Sequence, residues 1–187
     1  GFIVEGDTEK ILLESPAFKN LLTSLEIDHV ANIVNVVGNN NLLPHLIQEH
    51  SNILYKNGAE KIVILTDLDE DLCVSQTKER ISPQENHFCV ISKKTIEAWF
   101  LADQIAFGSF LGITDFTCDN PEGYKSPFEE IKRLRLEYLN RGVNDKKILA
   151  RIMLYKSNFS FERAANHPNC TSAKYFIEKL KLLSKKN

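Results

Sequence analysis

Several familiar chemistries are missing from this 187-residue chain. Its four cysteines, Cys73, Cys89, Cys118 and Cys170, form no C-x-x-C, and His167 with Cys170 makes only a lone H-x-x-C. A structural zinc needs a second such pair, so free thiols in a reducing cytoplasm are expected. The five histidines give no H-x-x-x-H, and no G-x-S-x-G is present, which leaves a serine-type hydrolase without support. No G-x-x-x-x-G-K-[ST] occurs, so the chain carries no P-loop ATPase. Basic charge is not in excess. With 23 Lys and Arg against 25 Asp and Glu the net charge is −2, so no global basic field advertises nucleic acid, although local basic clusters still can. No apolar run approaches the roughly 20 residues of a membrane span. The chain opens on "GFIVEG", without Met or a signal-peptide pattern. A cytoplasmic location away from membranes is the expectation.

What is present supports an ordinary globular core, since 43% of residues are hydrophobic and 26% charged. "FIVE" (2–5), "HVANIVNVV" (29–37), "EKIVILTD" (60–67) and "HFCVIS" (87–92) read as strands. Helical patterns separate them. "GDTEKILLESPAFKNLLTSL" has Asp7 or Thr8 as the expected N-cap, and "LLPHLIQEHSNILYKNG" ends at Gly58. Strands alternating with helices predict βαβ units and a mostly parallel sheet flanked by helices, an α/β fold. Residues 1–105 are read as that core. After the polar stretch "TDFTCDNPEGYKSP", four helical patterns make residues 106–187 a helical C-terminal extension packed on it.

In parallel sheets, functional groups gather at the carboxyl ends of strands. Glu5 ends the first strand, and Gly6 allows a sharp turn and close approach to the backbone. Glu9 follows four residues later on the first helix, where it faces the same way as Glu5. "LTDLDED" ends the third strand and places Asp67, Asp69 and Asp71 at every second residue, on one side of an extended chain. Carboxylates crowded at one edge cost several kcal/mol unless something compensates them. A hard divalent cation does so, and oxygen donors suit Mg²⁺ or Mn²⁺. Glu5, Glu9, Asp67 and Asp69 are therefore the candidate metal ligands.

"IVEGDTE" followed by "ILTDLDED" resembles the TOPRIM domain of topoisomerases, primases and OLD-type nucleases, in which a Glu, often followed by Gly, ends the first strand and Asp-x-Asp follows a later one. Glu5-Gly6 and Asp67-x-Asp69 match this pattern, and Glu9 resembles the second glutamate of OLD-type members. Thr95-x-Glu97, at the start of the helix after the fourth strand, is similar to a Ser-x-Glu of those proteins. "KTIEAWFLAD" and "KSPFEEIKRL" further resemble small bacterial TOPRIM-like proteins, some of them linked to phage defence.

The resemblance implies a Mg²⁺- or Mn²⁺-dependent nuclease acting on DNA or RNA, with Glu5, Glu97 and Lys94 as catalytic candidates. Lys93, Lys125 and Lys174 are weaker cationic candidates, because a lone lysine is usually a solvated side chain. The alternative is a non-catalytic subunit that binds metal and nucleic acid, or that serves a partner ATPase or defence-system protein. Trp99 and Phe100 are read as core.

Overall fold

Alternate residues along each strand face different partners, and that alternation builds the layers. The computed structural model describes residues 1–68 and 73–184. Its strands are β1 (Phe2–Val4), β2 (Ile33–Asn35), β3 (Ile62–Asp67) and β4 (His87–Ser92), all parallel, in the order β2-β1-β3-β4. Ile3, Ile62, Ile64, Cys89 and Ile91 point to one face, where Ile47 and Leu54 of α3 (Pro44–Lys56) and Ile81 of α4 (Val74–Ile81) cover them. Phe2, Val4, Val63, Leu65 and Val90 point to the other.

That second face carries α1 (Asp7–Glu14), α2 (Pro16–Ser24) and the rest of the chain. The remaining helices are α5 (Glu97–Ala102), α6 (Gln104–Leu111), α7 (Pro127–Leu139), α8 (Lys146–Tyr155), α9 (Phe161–Asn166) and α10 (Thr171–Leu183). The expected α/β architecture is present, and the sheet is wholly parallel. Among the described residues no helix is long and apolar enough to cross a membrane.

The early and late parts of the chain share one core. Phe18 of α2 stacks on Phe176 of α10 with centroids 5.9 Å apart and lies 5.4 Å from Phe161 of α9. Trp99 and Phe100 are wholly buried, as expected, and Trp99 sits 5.3 Å from Phe176. Its indole N–H donates to Ser172 Oγ at 2.8 Å.

Two long helical patterns, "GDTEKILLESPAFKNLLTSL" and "KTIEAWFLADQIAFGSFLG", are each cut in two. Ser15 ends α1 by donating to Leu12 O at 2.6 Å, and it opens α2 by accepting from Phe18 N at 3.2 Å, with Pro16 next in line. Asp103 likewise separates α5 from α6. It accepts from Ala106 N, from Ser160 N at 2.8 Å and from Arg163 through Nε at 2.7 Å and Nη2 at 2.9 Å. The N-cap of α1 is Gly6, not Asp7 or Thr8. Asp7 is already helical, and its carboxylate accepts from Asn35 Nδ2 at 2.7 Å instead. β2 is shorter than predicted because it pairs only with β1, and that ladder spans three residues. Gly58 follows α3 at φ 94°, in the left-handed role expected of it.

The polar stretch before α7 does more than link. Glu122 is buried, and it accepts from Thr171 N (3.0 Å), Thr171 Oγ1 (2.8 Å), Ser172 N (2.8 Å) and Ser172 Oγ (2.5 Å). It thereby caps the first turn of α10, whose own N-cap residue, Cys170, makes no side-chain cap bond. Glu122→Ala is expected to cost about 1–3 kcal/mol by stranding buried donors, read as a lowered urea midpoint with an unchanged m-value. An unchanged midpoint would show that the cap is dispensable.

Candidate functional site

The chain goes from β1 to β2 on one side and then crosses back to β3 on the other, so the strand order reverses at the β1–β3 boundary. Ligands of open α/β sheets bind at such a switch point, outside the carboxyl ends of the strands. Glu5 and Asp67 stand there. Glu5 N continues the ladder to Leu65 O at 3.1 Å, and Glu5 Oε2 accepts from Thr66 Oγ1 and, at 3.2 Å, from Asp67 N. These bonds fix the Glu5 side chain against β3.

Asp67 is buried, and its Oδ1 accepts from Ser92 Oγ at the end of β4 and from Ile96 N at 2.8 Å. The β4–α5 turn makes the second bond available, through Lys94 in the left-handed conformation at φ 69°. Gly6 serves the site sterically. A Cβ there would come within 3.0 Å of Glu9 Oε2, so the glycine makes room for the Glu9 carboxylate.

Glu97 occupies the first position of α5, at the helix start expected of it, and is fully buried. Neither of its oxygens has a hydrogen-bond partner, and the neighbouring Thr95 Oγ1 also lacks one. Among the described residues one cation faces it. Lys146 Nζ lies 3.2 Å from Glu97 Oε2, an ion pair that does not meet hydrogen-bond geometry.

The charges feel one another. Burial pushes Glu9 up to about 7, with the Glu97 and Glu5 carboxylates adding to the rise and Lys146 opposing it. Burial and the charges of Glu9, Glu97 and Glu5 hold Asp67 well above the usual carboxylate range, against the Ser92 hydrogen bond. Lys146 is driven down by desolvation, but Glu97, Asp67 and Glu9 together leave it raised. Four carboxylates and one lysine, from the residue after β1 and from α1, β3, α5 and α8, therefore make a single electrostatic unit.

Lys146 was missed in the sequence reading, being 141 positions from Glu5. A local signal existed in "NDKKIL". Asp145 caps α8 by accepting from Ile148 N at 2.9 Å, and Lys146 and Lys147 follow at its first two positions. Cations at a helix N-terminus oppose the macrodipole, so two of them there point to a use elsewhere. Lys147 pairs with Asp7 Oδ2 at 3.3 Å.

Lys94 is half-buried beside the turn it shapes and makes no ion pair among the described residues. Lys93, Lys125 and Lys174 are exposed. Asp69 and Asp71 lie outside the described residues, so Asp69 has no placement here. Among the described residues no three His, Cys, Asp or Glu side chains form a ready-made metal cage.

A separate cleft of about 570 Å³ is lined by Asp103, Cys118, Arg163, His167 and Asn169, among others, and by none of the four carboxylates. Its polar groups serve the fold. Asp103 is engaged as above, and His167 contacts Cys118 O through Nε2 at 2.7 Å while Nδ1 accepts from Asn169 N at 3.1 Å.

No protein-family model, curated protein or solved structure matches the chain.

Proposed function

We propose that the chain is a Mg²⁺- or Mn²⁺-dependent phosphodiester-cleaving enzyme acting on nucleic acid, the activity that the TOPRIM resemblance implies. The observation that carries this reading is the wholly buried Glu97 carboxylate, which feels the charges of Asp67 and Glu9 and has Lys146 as its one close partner among the described residues. A fold selected for stability alone has little reason to keep several buried carboxylates against one lysine.

The donor set is all oxygen, which fits a hard divalent cation. Glu5, Glu9 and Asp67, with Asp69, would hold it. The cation supplies polarisation of a phosphoryl oxygen and stabilisation of the leaving group. The chain's own groups do the rest. Lys146 offsets negative charge building on the transferred phosphate. Whichever of Glu5 and Glu9 does not ligate the cation would take the proton of the attacking water. Ser92 and the Ile96 N–H hold Asp67 by one oxygen.

Asp67→Asn tests the reading. The amide oxygen still accepts from Ser92 and Ile96 N, so the fold is retained while a charged ligand becomes neutral. Mn²⁺ affinity measured by calorimetry is expected to fall by about tenfold or more, with cleavage of a labelled nucleic-acid panel falling alongside. Unchanged Mn²⁺ affinity, or wild-type protein that cuts nothing with either metal, would reject it.

A further inference from the structure

We propose that the exposed face of α8 is a track for single-stranded nucleic acid leading to the carboxylate site. The inference rests on the phosphodiester-cleaving reading of that site. α8 begins at the site, with Lys146 3.2 Å from Glu97 and Lys147 3.3 Å from Asp7. Leu149, Ala150, Met153 and Leu154 seat the helix on the core. The opposite side carries Lys147, Ile148, Arg151, Tyr155 and, just past the helix, Lys156, all exposed.

Lys147, Arg151 and Tyr155 recur every fourth residue, so they form one stripe with steps of about 6 Å along the axis. The side chains of Arg151, Tyr155 and Lys156 have no hydrogen-bond or ion-pair partner among the described residues. Ile148 and Tyr155 are 52% and 57% exposed, surface that contributes little to stability where it stands.

Charge favours a polyanion. Between 141 and 156 there are five basic residues and one acid, in a chain whose net charge is −2. Lys146 and Lys147 are paired with Glu97 and Asp7, and Arg141, Arg151 and Lys156 have no acidic partner among the described residues. Cations followed by a free aromatic ring match what a single strand offers, successive phosphates and an unpaired base face to stack. A duplex offers the phosphates alone, because its base faces are already stacked. Sugar chemistry does not enter this argument, so single-stranded DNA and RNA share it.

Fluorescence anisotropy with labelled oligo-dT, oligo-U and a blunt duplex of equal length tests the track, in EDTA so that nothing is cut. Single strands are expected to bind more tightly than the duplex. Tyr155→Ala is expected to weaken single-strand binding by about tenfold or more, and Tyr155→Phe to restore it. Arg151→Ala is expected to flatten the slope of log affinity against log salt by about 0.7. Lys61→Ala, at the amino end of β3 and so at the opposite end of the strands from the site, should change neither. Binding of only one of the two single strands also supports the track and identifies the polymer.

The track is overturned if wild type binds no single strand, prefers the duplex, or keeps full affinity and salt slope in both the Tyr155→Ala and Arg151→Ala variants. Should Tyr155→Ala melt early, the Arg151→Ala slope decides alone. Track variants that bind as wild type while metal-dependent cleavage persists sink the track and spare the nuclease reading. Tyr155-dependent binding by a protein that cuts nothing does the reverse.

Discussion

Glu97→Gln is expected to lower metal-dependent cleavage strongly and to raise the melting temperature. The carboxylate is wholly buried, lacks hydrogen-bond partners and faces Lys146 at 3.2 Å. It also adds to the negative charge around Glu9 and Asp67. Glutamine keeps the shape and removes one charge. Lys146 does not become an isolated buried cation, because it is partly exposed and still feels Asp67 and Glu9. The metal-free protein should therefore gain on the order of 1 kcal/mol, about 2–4 °C in a chain of this size. Cleavage should fall by about 10–100-fold or more, the scale for groups that support a metal site. Calorimetric melting and a cleavage assay on the same preparation check both. Wild-type cleavage would remove Glu97 from the site, and a collapse in melting temperature would make it a structural anchor.

Stabilisation by Mn²⁺ is expected to grow as the pH rises from about 4.5 to above 7, the interval between the ordinary and folded pKa of Glu9. Because the folded value is the higher one, the fold favours the protonated acid. That contribution is fully present below pH 4.5 and is lost as the pH rises through about 7. The difference is worth about 3 kcal/mol at most, at 1.36 kcal/mol per pKa unit. Asp67, also held high, acts with the same sign. A divalent cation relieves the repulsion only once the acids are ionised, so its stabilising effect should be small at the acid end and largest at the alkaline end. Melting with Mn²⁺ and with EDTA across this range is the measurement. An equal Mn²⁺ effect at both ends would mean that the ion binds elsewhere.

The parts of this design legible in the sequence are those set by near neighbours. Short continuous apolar runs located β3 and β4, Gly58 marked the end of α3, and strand–helix alternation predicted the parallel sheet. Glu5, Asp67 and Glu97 were legible because strand ends and helix starts converge on one edge of such a sheet. The breaks at Ser15 and Asp103 were overlooked although both residues carry cap chemistry, because the apolar periodicity continues across them. The burial of Glu97 and the arrival of Lys146 depend on how α8 packs against α1, which no local pattern encodes. Glu122 looked like part of a polar linker because its partners, Thr171 and Ser172, lie about fifty positions away.

The single tryptophan has an optical consequence. Trp99 lies two residues after Glu97, its ring lies against Phe176, and its indole N–H is bound to Ser172, itself held by Glu122. Its emission is therefore expected to be blue-shifted and shielded from aqueous quenchers in the native protein, and to shift to the red when α10 leaves α5. With no second indole to dilute the signal, one fluorophore reports whether the end of the chain is docked on the helix that carries Glu97. A variant that is inactive with native emission has lost chemistry, whereas one with red emission has lost the scaffold.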